Sequence, residues 1–141
     1  EARLFSKLNG WGFEVLHKPH PGSVSLPGGL AESFGGRTIT DRFERVMGQA
    51  DAFVLFPTLQ STTTPLLLAS SKPTVYVDAD LFPLTKEAYE LLSRRCAIVP
   101  GWLDDENRVQ IEWSDLRSAI ELSRNLADTS IVDYYWGNRW Y

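Results

Sequence analysis

The chain has 141 residues, with 43% hydrophobic residues and a formal net charge of −4. That length suits one domain, or at most a small pair, with enough chain for a core, and that hydrophobic content excludes a disordered tail. The acidic balance argues against a general nucleic-acid binder, and no apolar run approaches the roughly 20 residues of a membrane span. A single cysteine, Cys96, allows no intrachain disulfide and no cysteine-cluster zinc site, so a reducing, cytoplasmic setting is expected. The only histidines are His17 and His20, too few for a multi-histidine centre, so neither a metal nor a cofactor is expected. The chain opens at Glu1 with no signal-peptide layout and reads as part of a longer protein.

Taken in chain order, Ala2 to Leu8 has apolar residues at helical spacing. Phe13 to Leu16 reads as a short strand ended by Pro19 and Pro21. Gly22 to Gly36 holds five glycines and reads as a long loop. Arg37 to Thr40 is a weak strand. Asp41 is placed to cap a helix running to about Gly48, with Glu44 completing a capping box. Ala52 to Phe56 is a continuous apolar run, as expected of a strand buried on both faces. Ser61 to Thr64 is a hydroxyl cluster. Pro65 after it predicts Thr64 as the N-cap of a helix running to about Ser70.

Thr74 to Val77 is a second buried strand, and Thr85 to Arg95 is helical. Ala97 to Val99 is a third strand, ended by Pro100 and Gly101, and Val109 to Ile111 is an edge strand. Ser114 is placed to cap the next helix. The tail holds Tyr134, Tyr135, Trp136, Trp140 and Tyr141, which would either pack on this domain's own sheet or mark an interface. Strands and helices alternate with no repeat and no sign of an internal boundary. The expected fold is a single α/β domain over residues 1–141, with a mainly parallel sheet covered by helices on both faces.

In such a sheet, ligands sit beyond the carboxyl ends of the strands. Two features fall there. Lys18-Pro19-His20-Pro21-Gly22-Ser23 is a stiff turn carrying a cation and an imidazole, which suit an anionic group. Gln60-Ser61-Thr62-Thr63-Thr64-Pro65 leads into a helix N-terminus, whose free amides and dipole favour a phosphate. Each also has a plain structural reading, as a strand terminator and as a helix cap. Asp78 and Asp80 could hold a ribose or a cation but read first as a solvated turn, and Asp104-Asp105-Glu106 reads as a surface patch. No phosphate-binding Gly-Lys-Ser/Thr loop, dinucleotide glycine fingerprint or Gly-x-Ser-x-Gly elbow occurs.

The order Lys18-Pro19-His20-Pro21, Ala50-Asp51, Ser61-Thr62 and Lys72-Pro73-Thr74-Val75 resembles the C-terminal, nucleotide-sugar-binding domain of GT-B glycosyltransferases. The nearest likeness is to bacterial capsule and teichoic-acid enzymes of the CDP-glycerol glycerophosphotransferase-like type, over roughly Phe13 to Asn125. The resemblance implies a Rossmann-like three-layer sandwich, one half of a two-domain protein. It implies that His20, with Lys18 or Ser23, faces the phosphates of a nucleoside-diphosphate donor, with Ser61, Thr62 and Thr63 holding them from the helix start. The reaction would be displacement of the nucleoside diphosphate by an acceptor hydroxyl in surface-polysaccharide synthesis. An N-terminal domain, carrying the general base, would be the partner. Without it this stretch is expected to bind a donor and not turn over, and membrane contact would be peripheral, through the full-length protein. Here the helix Pro65 to Ser70 lacks the acid that the family usually places near the hydroxyl cluster. The competing classes are a sugar-nucleotide epimerase-like or sugar-phosphate isomerase-like domain, and a non-catalytic flavodoxin-like interaction module.

Overall fold

The structure is a computed structural model that describes residues 1–19, 29–56 and 59–137. It is mixed α/β and divides into two compact units, Glu1–Ala50 and Asp51–Tyr141. Among the described residues, no helix is long and apolar enough to cross a membrane.

In the first unit, helix α1 (Ala2–Gly10) buries Leu4 and Phe5. Strand β1 (Leu16–His17) pairs in parallel with β2 (Arg37–Thr38), with Leu16 opposite Arg37 and His17 opposite Thr38. The first strand therefore starts later than the apolar run from Phe13 suggests. Arg37 and Ile39 donate their amides to Val15 and His17, both at 2.8 Å. Gly36 makes this approach possible, because a Cβ there would collide with the Val15 carbonyl. Within the expected long loop, Glu32–Phe34 forms a 3₁₀ turn. The Glu32 carboxylate accepts the Thr38 amide at 2.7 Å and the Thr38 hydroxyl at 3.0 Å. These bonds hold the Glu32 carboxyl below its ordinary range, the backbone bond from Thr38 contributing most.

Helix α2 (Phe43–Val46) continues as a 3₁₀ turn, Met47–Gln49. The expected capping box is not formed. Arg42 takes the N-cap position without a side-chain bond, and Asp41 lies outside the helix. Burial of Phe43 and Val46 holds this single turn instead.

The second unit is built on a four-stranded sheet of order β3-β4-β5-β6, comprising β3 (Phe53–Leu55), β4 (Thr74–Asp78), β5 (Ala97–Leu103) and β6 (Val109–Ile111). Three strands run parallel, as expected, but β6 is antiparallel to β5. The connection is too short for a crossover. Asp104 closes it by accepting the amides of Glu106 and Arg108, both at 2.9 Å, and Asn107 adopts the left-handed φ of 57°. Strand β5 also runs on through Pro100 and Gly101. Gly101 lets β6 approach, since a Cβ there would lie 3.0 Å from the Gln110 carbonyl oxygen. β3 is an edge strand, and its residues are only half-buried, whereas Thr74 to Val77 of β4 are fully buried.

Helices α3 (Thr64–Ala69), α4 (Lys86–Ser93), α5 (Trp113–Ser123) and α6 (Ser130–Trp136) complete the unit. The N-caps differ from expectation: Thr63 rather than Thr64 precedes α3, and Glu112 rather than Ser114 precedes α5. Thr85 caps α4 by accepting the Ala88 amide at 3.2 Å. Leu68, Tyr76, Ala88, Leu92, Cys96 and Ile131 form a buried cluster. The in-register row Leu55, Tyr76 and Ile98 supplies the sheet's side of it. Val75 and Val77 alternate to the other side of β4, and α5 packs on β4 and β5.

Candidate functional site

The loops beyond the carboxyl ends of β3 and β4 line one groove of about 650 Å³. Gln60, Ser61 and Thr62 come from the first loop, and Phe82, Pro83 and Leu84 from the second. Helices α3, α4 and α6 complete it with Thr64, Leu68, Leu92, Tyr135 and others. This is the placement that a parallel α/β arrangement dictates for a ligand.

The hydroxyl cluster is partly spent on its own loop. Ser61 Oγ and Thr63 Oγ1 are 2.8 Å apart, and the Thr63 amide donates to Ser61 Oγ at 3.3 Å. The Thr64 amide donates to the Ser61 carbonyl at 3.1 Å. Ser61 and Thr62 line the groove, whereas Thr63 is not among its lining residues. Thr64, the first residue of α3, is fully buried, and its Oγ1 has no partner among the described residues. An unsatisfied buried hydroxyl costs about 1–3 kcal/mol, so it marks a position where structure alone leaves a group incomplete.

The far end of α3 is closed by a side chain that the sequence does not single out. Arg95 follows α4 and is fully buried. Its Nε donates to the Leu68 carbonyl at 2.8 Å. Its Nη2 donates to the carbonyls of Leu67, Ser70 and Lys72 at 3.0, 2.8 and 2.9 Å. The guanidinium thus caps the negative end of α3. Burial lowers its pKa from the ordinary value, and Nη1 is left without a partner among the described residues. A cation two residues past a helix end reads from sequence as a solvated terminus. Its acceptors lie 23 to 28 residues away, so no local pattern reveals them.

The other candidates stand as follows. Lys18 follows β1 in the first unit and is half-buried. His20 and Ser23 lie outside the described residues. Asp78 ends β4, and its Oδ1 accepts the Asp80 amide at 3.1 Å. Burial first, and then the Asp78 charge and hydrogen bond, push the Tyr76 phenol up to about 12. Asp104 is held at about 2, chiefly by the Arg108 amide, and serves the β5–β6 turn. Cys96 is a core residue whose thiol burial pushes up to about 12. Among the described residues, no group of three or more His, Cys, Asp or Glu could hold a metal ion.

Of the tail aromatics, Tyr135 and Trp136 pack against the Leu68–Tyr76–Leu92 cluster and line the groove, while Tyr134 is exposed. Trp140 and Tyr141 lie outside the described residues. The helical spacing of Ile131 and Tyr135 is the sequence signal for one wall of the groove. Phe82 carries no such signal. Comparison with protein-family models, with curated proteins and with solved structures finds no match.

Proposed function

We propose that this chain contributes the donor-binding part of a cytoplasmic glycosyltransferase of the GT-B type, taking a nucleotide-sugar or CDP-polyol. On this reading Asp51–Tyr141 belongs to a Rossmann-like three-layer arrangement whose sheet ends in an antiparallel strand. The observation that carries the reading is the groove beyond β3 and β4, with Ser61 and Thr62 on its lining. The hydroxyls of Ser61 and Thr62 there suit phosphate oxygens, and positioned donors of this kind stabilise the charge that builds on a departing diphosphate. A general base and an acceptor site would come from another domain.

Calorimetric titration with UDP, CDP and GDP tests it. One nucleoside diphosphate is expected to bind at a single site, about tenfold more weakly in Ser61→Ala. No heat with any of them at millimolar ligand, using protein that includes the upstream domain, contradicts the reading.

A further inference from the structure

The groove has a property that a phosphate site does not require. None of the described residues that line it carries a charge, and its walls are mostly aliphatic and aromatic. Phe82, Tyr135 and Trp136 supply three rings, and Leu68, Leu92 and Ile131 supply aliphatic surface from three helices. Phe82 is 37% exposed although it is a large apolar side chain. The volume, about 650 Å³, falls in the range of small-molecule sites. Ser61, Thr62 and Thr64 bring three hydroxyl side chains to the lining from one short segment, and Thr64 Oγ1 is buried without a partner among the described residues.

A charge set against the apolar walls, away from the Ser61–Thr62 hydroxyls, would lose its hydration without an opposite charge among the described lining residues to replace it. A flat, uncharged ligand would gain ring contacts and apolar burial without that loss. One hydrogen-bonding group on it would meet the accessible hydroxyls of Ser61 and Thr62.

We infer that this groove binds an uncharged aromatic small molecule, held by apolar contact with one hydrogen bond at the Ser61 and Thr62 hydroxyls and needing no phosphate. The inference goes beyond the donor reading and is separable from it, because it concerns a ligand without the group that the donor reading depends on.

The probe is N-phenyl-1-naphthylamine, an uncharged aromatic amine with one N–H, whose fluorescence rises in apolar surroundings. Titrated into the full chain, it is expected to show saturable enhancement at one site per chain. Phe82→Ala is expected to weaken binding about fivefold. Thr62→Val, which removes an accessible lining hydroxyl at nearly constant shape, is expected to weaken it about threefold. Trp102→Ala removes an aromatic that is 47% exposed on β5 and absent from the groove lining, and is expected to leave binding unchanged. Linear, non-saturating enhancement overturns the inference. So does equal weakening by Trp102→Ala, which would mean adsorption to exposed aromatics in general. Unchanged affinity in both Phe82→Ala and Thr62→Val also overturns it. A chain that binds a nucleoside diphosphate but not the naphthylamine sinks this inference and leaves the donor reading standing. Naphthylamine binding without nucleoside-diphosphate binding, in protein that includes the upstream domain, does the opposite.

Discussion

The two ends of α3 solve the same problem in opposite ways. Its carboxyl end meets a buried guanidinium, and Arg95 serves the carbonyls of Leu67, Leu68, Ser70 and Lys72. Its amino end meets hydroxyls that satisfy one another through Ser61 and Thr63, and it leaves Thr64 Oγ1 buried without a partner among the described residues. At one end the carbonyls are closed by structure, although Arg95 Nη1 is itself left without a partner among the described residues. The other end lines the groove. Buried polar groups are normally satisfied, and of these two orphans only Thr64 belongs to the groove lining, which is the contrast between the ends.

A large effect is expected at the closed end. Arg95→Met would leave its carbonyl partners without their donor, and a loss of about 3 kcal/mol is expected in chemical denaturation. A change under about 1 kcal/mol would mean that the cap contributes little. Leu68→Ala, in the cluster between α3 and the sheet, is expected to cost about 2–5 kcal/mol by the same assay. It separates the packing of α3 from its capping.

The open end is expected to respond with the opposite sign. Thr64→Val removes an unsatisfied hydroxyl at nearly constant shape, so a gain of about 1 kcal/mol is expected in the unliganded chain. A loss of similar size would show that the hydroxyl has a partner after all, and the contrast between the ends would disappear.

Two smaller effects lie away from α3. The Asp104 carboxyl is lowered from 3.8 to about 2 by bonds made in the β5–β6 turn. Its pKa in the folded chain lies below the unfolded value, so its contribution is complete above about pH 4 and is lost as pH falls towards 2. Asp104→Asn is expected to flatten that part of a stability–pH curve, and an unaltered slope would contradict the assignment. Cys96, with its thiol pushed up to about 12, is expected to resist a maleimide in the native state and to react on denaturation. Rapid native labelling would show that the cluster around it opens.

The legible parts of this fold are those that rest on local pattern. The apolar runs at Thr74 and Ala97 become β4 and β5 because burial leaves an apolar signature, while the run at Phe53 becomes β3 although its residues are only half-buried at the sheet's edge. The hydroxyl cluster lies beyond the end of β3 because Pro65 fixes where a helix can begin. The reversal at β6 was not legible. It depends on Asp104 bonding the turn and on Asn107 accepting a left-handed φ, and the apolar pattern of Val109 to Ile111 is the same for either direction. Arg95 was hidden for a different reason, since its burial is decided by carbonyls distant in sequence. The groove walls share that cause. Phe82, Leu68 and Tyr135 come from three separate segments, and nothing local in any of them states that they meet.

The central claim is that the incomplete end of α3 opens on a ligand site. Backbone amide shifts in two-dimensional NMR, followed during titration with CDP and UDP, test it most directly. The account predicts that one of them moves resonances in Ser61–Thr64, Phe82–Leu84 and around Tyr135, while the β5–β6 turn around Asp104 stays still. Saturable shifts confined to other parts of the chain, with Ser61–Thr64 unmoved, would contradict it.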